Sequence, residues 1–172
     1  GIINHPDVMI VGEIRNGHLL LLLGETNGHL GQSALLAEVY GRADGDAPTV
    51  DLDVEKANGD FIRANHSLIK ACTDLSDGGL ALAAFEMAES ADVGVTIDAE
   101  DTPTLFGEDQ GRYLIACNFD QAEALMIAAS QAGVKLATVG KAGGEAVTFG
   151  KQSAPLSELG TIFRTSFEKA VA

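Results

Sequence analysis

Between Leu80 and Ala91 the apolar residues Leu80, Ala83, Ala84, Met87, Ala88 and Ala91 recur at helical spacing. Leu82 and Phe85 widen the stripe until little but Glu86, Glu89 and Ser90 is left for water. A helix apolar around most of its circumference has to be enclosed by other elements. That selects a layered domain with a real core, and 172 residues with 46% apolar content are enough to build one. The unbroken apolar runs, Leu19 to Leu23 among them, stop far short of the roughly 20 residues that span a bilayer, so no membrane partner is expected. No signal peptide is read at the start, where Gly-Ile-Ile-Asn-His-Pro lacks a methionine and suggests a piece of something longer. Cys72 and Cys117 stand in apolar settings and are too few for a disulfide scaffold, so a reducing, cytoplasmic location is expected.

Lys and Arg number 11 against 25 Asp and Glu, a formal charge of −14. The imbalance is concentrated. Between Lys70 and Arg112 there is no basic residue, while Asp74, Asp77, Glu86, Glu89, Asp92, Asp98, Glu100, Asp101, Glu108 and Asp109 all fall inside. Such a stretch repels a nucleic-acid backbone, whose affinity comes from Lys and Arg displacing counterions, so no nucleic-acid partner is expected. A phosphorylated small molecule could still bind if backbone NH groups, a helix N-terminus or a divalent cation met its charge.

The remaining pattern predicts an α+β fold with a mixed, mostly antiparallel sheet packed by helices. Val8–Val11 and Leu19–Leu23 flank an Asn16-Gly17 step and read as a hairpin. A glycine-rich loop over 24–33 leads to a short helix over 34–40. From Asp51 to Cys72 the positions Val54, Ala57, Phe61, Leu68 and Cys72 predict one long helix, with Asn58 and Asn65 on the same stripe. Asn58 and Asn65 are read as satisfied core amides or as groups turned toward a site. The enclosed helix follows, with Ser76 or Asp77 as its N-cap. Val93–Ile97 and Arg112–Cys117 read as strands around an acidic loop. Asp120 and Glu123 suggest a capping box for a helix over 121–132. Lys135–Gly140 and Ala146–Phe149 read as a second hairpin, and Ser157 as the cap of a last helix. One domain over 1–172 is expected, with 1–7 as a lead-in.

Three polar clusters could carry chemistry. In the loop 24–33, Gly24, Gly28 and Gly31 let the backbone turn its NH groups toward an anion, and Gln32 and Ser33 add side-chain donors; the Lys of a Walker loop is missing. In Thr73-Asp-Leu-Ser-Asp-Gly-Gly79, Asp74 is left over once a cap is assigned and could bind a magnesium that bridges to phosphate. In Gly107-Glu-Asp-Gln-Gly-Arg-Tyr113, Glu108, Asp109 and Gln110 offer acceptors and Arg112 a planar fork for carboxylate or phosphate; the alternative is an Arg112 salt bridge to Glu108 or Asp109 that fixes the loop. His5, His18, His29 and His66 lack ligand spacing, so neither a zinc site nor a Ser/His/Asp arrangement is expected.

Taken in order, Leu-Leu-Leu-Gly-Glu-Thr-x-Gly-x-Leu-Gly-x-Ser from Leu21, Asp-Leu-Ser-Asp-Gly-Gly-Leu-Ala from Asp74 and Phe-Gly-Glu-Asp-Gln-Gly-Arg-Tyr from Phe106 resemble the phosphoribosylformylglycinamidine synthase family. The resemblance runs from about Val8 to the last helix and is to the C-terminal domain of the second of two homologous halves. That plan is shared with aminoimidazole ribonucleotide synthetase and selenophosphate synthetase. It implies an AIR synthase C-terminal domain-like fold and an ATP-dependent carbon–nitrogen ligation in purine biosynthesis. There the amide oxygen of formylglycinamide ribonucleotide is phosphorylated, and ammonia from glutamine displaces phosphate. The implied cofactors are ATP and magnesium, held mainly by the N-terminal part of such a protein. The implied partners are a phosphorylated ribonucleotide substrate, a glutaminase and small accessory subunits.

The expected phosphate or substrate contacts are Gly24, Glu25, Thr26, Gly28, Gly31, Gln32, Ser33, Glu108, Asp109, Gln110 and Arg112; by the resemblance Glu108, Asp109 and Gln110 stand where the first-half copy contacts substrate and Asp74 where it has a magnesium carboxylate, and no catalytic residue is expected in this stretch. In a second-half copy these roles can survive as a pseudo-site, and Thr73 stands where the family often has His. The fragment alone is expected to be inactive. The rival expectations are a domain of another superfamily member, such as aminoimidazole ribonucleotide synthetase, and a purely structural module.

Overall fold

The computed structural model describes residues 9, 10 and 12–171, with side chains to residue 166. Its centre is β1 (Leu19–Leu23), whose alternate leucines are buried on both faces of the sheet: Leu20 and Leu22 on one side, Leu21 and Leu23 on the other. β4 (Tyr113–Cys117) and β5 (Leu136–Ala142) pair with β1 on either side, both antiparallel. β2 (Ala71–Asp74) extends the sheet beyond β4, while β3 (Val95–Ile97), β6 (Ala146–Phe149) and β7 (Gln152–Pro155) extend it beyond β5. The order is β2-β4-β1-β5-β3-β6-β7, and among the described pairings only β3–β6 is parallel.

Among the described residues five α-helices cover the two faces. On one lie α2 (Gly79–Ala91), α3 (Thr102–Phe106) and α5 (Leu156–Val171), and on the other α1 (Leu52–Ala64) and α4 (Phe119–Ala132). The enclosed helix is α2, where Leu80, Ala84 and Ala88 are wholly buried. The mixed, mostly antiparallel sheet packed by helices is therefore the α+β architecture that the sequence predicts.

Several local expectations are corrected. Of the proposed first hairpin strand, Val8 and Val11 lie outside the described residues, as does the lead-in 1–7, and Met9 and Ile10 are not in a strand. The Asn16-Gly17 turn forms, with Gly17 at φ +92°, but it delivers β1 to β4 and β5. The short helix over 34–40 is a single π-helical turn, Leu35–Val39. The long helix stops at Ala64, because the Asn65 amide side chain donates to the Phe61 carbonyl (2.9 Å) and the chain extends by Ile69. β2 follows, and the Lys70 NH joins the ladder at the Ala116 carbonyl (2.8 Å).

The second expected hairpin does not close on itself, since β3 lies between β5 and β6, and β6 turns instead into β7. α4 starts two residues early, with Asn118 in place of Asp120 as N-cap and the Gln121 Oε1 accepting from the Asn118 NH (3.4 Å). α5 begins at Leu156, which places Ser157 inside it. Burial pushes the Cys72 thiol up to about 12 and the Cys117 thiol up to about 11, with Asp74 and Asp120 adding to the two shifts, as the expected core settings require. Among the described residues no helix is long and apolar enough to cross a membrane.

Candidate functional site

The turn between α3 and β4 and the loop after β1 meet at one end of the sheet. Pairing of β1 with β4 puts Leu23 opposite Tyr113, so the chain leaving β1 and the chain entering β4 run side by side. The glycine loop is folded tightly there. Gly24 has φ +100°, and a Cβ on it would stand 2.9 Å from the Arg112 Cγ; Gly28 has φ +73°, and a Cβ on it would meet the Pro103 Cβ at 2.6 Å. Only glycine fits both backbones without displacement.

The loop does turn its NH groups toward an anion, and that anion is a side chain of the protein. The Asp109 carboxylate accepts from the NH groups of Asn27 (3.1 Å), Gly28 (2.9 Å) and His29 (3.2 Å). Glu108 does the same elsewhere: its Oε1 accepts from the Ala34 NH (2.8 Å) and the Gly78 NH (2.9 Å). One carboxylate thus ties the start of the π-helical turn to the start of α2. The expected N-cap of α2 is corrected by this contact, since Gly78 (φ +76°) holds the cap position and neither Ser76 nor Asp77 supplies a capping bond.

Arg112 is 1% exposed. Its Nε donates to the Asp109 carbonyl (3.1 Å), Nη1 to the Thr26 hydroxyl (3.2 Å) and Nη2 to the Gly107 carbonyl, and Nη2 lies 3.8 Å from the Asp109 carboxylate. Burial pulls the guanidinium below its ordinary value, and the Asp109 charge opposes that pull. Of the two readings the sequence left open, the fixing salt bridge is the one present, and the fork faces no solvent. Ser33 is fully buried and accepts from the Leu36 NH (3.3 Å), while the Gln32 side chain donates to the Gly45 carbonyl (2.9 Å). Gly31 lies where a Cβ would meet the Asp46 carbonyl at 2.5 Å.

Beside this corner is an open cleft of about 640 Å³, lined by Glu25, Asn27, His29, Asp51, Glu55 and Gln110 with backbone from Gly28 and Gly111. Among the described residues no Lys or Arg lines it, although Lys135 pairs with Glu25 at its edge. Its chemistry suits hydroxyl, amine or cationic groups, which carboxylates and amide oxygens can accept from. Asp74 and Asp77 are exposed. Among the described residues no three His, Cys, Asp or Glu side chains gather to hold a metal ion, so Asp74 does not by itself fit a protein-built magnesium site.

The structure therefore unites the glycine loop with the Glu108–Arg112 motif, joins the Asp77–Gly79 turn to them through Glu108, and leaves Asp74 apart. Two contributors, Asp51 and Glu55, escaped the sequence reading, whereas Asn58 was left open there between a satisfied core amide and a group turned toward a site. Asn58, buried at 2% exposure, holds the Gly111 carbonyl from α1 (2.8 Å), and Asp51 and Glu55 bring α1 to the cleft. Asn58 was marked by its place on an apolar stripe; the other two carried no signal beyond ordinary helix-start acids.

A layered domain with two glycine-bearing turns cross-braced by a buried aspartate and a half-buried glutamate is what comparison with known proteins then classifies. The chain belongs to the family described as AIR synthase related protein, C-terminal domain, whose family model matches residues 15–151. It is 72% identical over all 172 residues to the phosphoribosylformylglycinamidine synthase subunit PurL of Roseobacter denitrificans, and 69% identical to that of a Ruegeria species. In both cases it spans 24% of the relative's length. Among solved structures, Thermotoga maritima PurL complexed with FGAR superposes on 90% of the chain with a TM-score of 0.72 at 17% identity, over 30% of that chain. Thiamine-monophosphate kinase from Stenotrophomonas maltophilia superposes on 83% with a TM-score of 0.55 at 19% identity, over 53% of its own chain. These structural likenesses speak for the fold.

Proposed function

We propose that the chain is one domain of a phosphoribosylformylglycinamidine synthase, the ATP-dependent ligase that converts formylglycinamide ribonucleotide to its amidine with ammonia drawn from glutamine. The observation that carries this reading is 72% identity over every residue to a synthase subunit of which the chain spans 24%. Structural neighbours complexed with FGAR and with ATP are consistent with such a substrate and nucleotide. In this reading residues 1–172 form a single unit of a longer protein that works beside a glutaminase and accessory subunits in the cytoplasm. ATP and its magnesium are held mainly by parts of that protein outside this chain.

Within the domain, the proposal divides the site residues by exposure. Of the expected contact residues Glu25, Gln32 and Gln110 are the exposed ones, and Glu25 and Gln110 line the cleft, which suits them to contact hydroxyls or amides of a ribonucleotide. Gly24, Thr26, Gly28, Gly31, Ser33, Glu108, Asp109 and Arg112 shape and brace its wall.

The test is turnover. With formylglycinamide ribonucleotide, ATP, magnesium and glutamine plus a glutaminase subunit, the longer protein is expected to release ADP and phosphate in step with amidine, and the 172-residue chain to release none. Amidine formation by the 172-residue chain alone overturns the division of labour. Failure of the longer protein to act on this ribonucleotide overturns the proposal.

A further inference from the structure

We propose that Asp109 is a resident anion: its carboxylate fills the backbone anion hole of the glycine loop, which takes up a free carboxylate or phosphate only when Asp109 is removed. Three NH donors converge on its two oxygens, the arrangement that would otherwise receive a phosphate or carboxylate ligand. Asp109 is 6% exposed, so its carboxylate is largely screened from water although it borders the cleft. Its own backbone carbonyl is clamped by the Arg112 Nε, and the same guanidinium stands 3.8 Å from the carboxylate, so the residue is held from both ends.

Between the loop and the motif there is no room for a second occupant, although on its open side Asp109 borders the cleft. A Cβ on Gly107 would lie 2.9 Å from the Gly28 Cα, so motif and loop are in backbone contact. The Glu108 NH donates to the His29 carbonyl (2.8 Å), which closes the loop against the motif from the other side. Beyond them the cleft offers Glu25, Asp51 and Glu55 and, among the described residues, no lining Lys or Arg, a field unfavourable to a free anion. The glycine loop is therefore a filled cradle whose NH groups serve to position the Glu108–Arg112 turn.

This inference stands apart from the synthase reading and is tested on binding, so either can fail without the other. The amides of the isotope-labelled 172-residue chain are followed by NMR while sodium formate or inorganic phosphate is added at constant ionic strength, with chloride as the control. In the unmodified protein the Asn27, Gly28 and His29 amides are expected to stay still. In Asp109→Ala they are expected to shift saturably with formate, toward their original positions, and formate is expected to raise the variant's Tm above the chloride control. A saturable phosphate response at these amides in the unmodified protein overturns the proposal, as does a folded Asp109→Ala variant that ignores formate.

If that variant does not fold, Asp109→Asn keeps the shape and loses the charge. Hydrogen exchange at Gly28 should then quicken by about tenfold while Leu114 in β4 stays unchanged, the loss of one charge-assisted bond being worth about that factor. Equal protection at Gly28 in both proteins overturns the proposal as well.

Discussion

Two corners of this domain carry nearly the same sequence chemistry, a glycine turn with a pair of carboxylates, and use it in opposite ways. At Gly107–Arg112 the pair is turned inward: Glu108 and Asp109 hold five backbone NH groups on three other segments, and a buried arginine backs them. At Asp74–Gly78 both carboxylates face water, and the helix that begins there is capped by Glu108 from the first corner. The difference lies in what the sheet sets opposite each turn. Leu23 opposite Tyr113 brings a loop full of free NH groups against the first corner, whereas β2 is an edge strand with β4 as its one strand neighbour.

The contrast can be broken most forcefully at Arg112. Arg112→Ala removes three hydrogen bonds and leaves a buried carboxylate without its counter-charge, which should cost about 3–5 kcal/mol in urea unfolding. Next comes Gly28→Ala, which adds the strain of φ +73° to a collision with Pro103 and should cost about 2–4 kcal/mol on the same scale. Glu108→Ala leaves the Ala34 and Gly78 NH groups unpaired and should cost about 1.5–3 kcal/mol. Hydrogen exchange should then rise at both amides together, although one belongs to the start of the π-helical turn and the other to the start of α2. Asp74→Asn sharpens the comparison from the other corner, with an unfolding free energy expected to stay within about 0.5 kcal/mol. A loss at Asp74 as large as that at Glu108 would show that the two corners are not different in kind.

The layered architecture was legible because it rests on local pattern: the enclosed stripe of α2, the leucines of β1 and the apolar run of β4 are all readable from spacing. β2 and β7 were not. Ala71–Asp74 continues the helical phase of the residues before it, and its strand identity comes from the ladder to β4. Gln152–Pro155 is a largely exposed edge strand with no apolar alternation and takes its register from β6. The Gly143-Gly144 turn signalled a hairpin truthfully as a turn and misleadingly as a pairing, since the partner of β5 on that side is Val95–Ile97.

At the site, spacing identified the glycine loop and the Glu108–Arg112 motif separately. It could not say that each was the other's ligand, because donors and acceptors lie about eighty positions apart in the chain. A glycine loop with no lysine of its own has NH groups in need of an anion. An arginine three residues after an aspartate signals an acid held in place, and the two together are the pattern to look for.

The position of β1 also sets the order in which the molecule can be built. Its five leucines are synthesised before either neighbour, and both Tyr113–Cys117 and Leu136–Ala142 must arrive before its two edges are satisfied. Until then the most water-averse stretch of the chain is an open strand, so assembly is governed by distant contacts and by how long a nascent polypeptide can be kept from self-association.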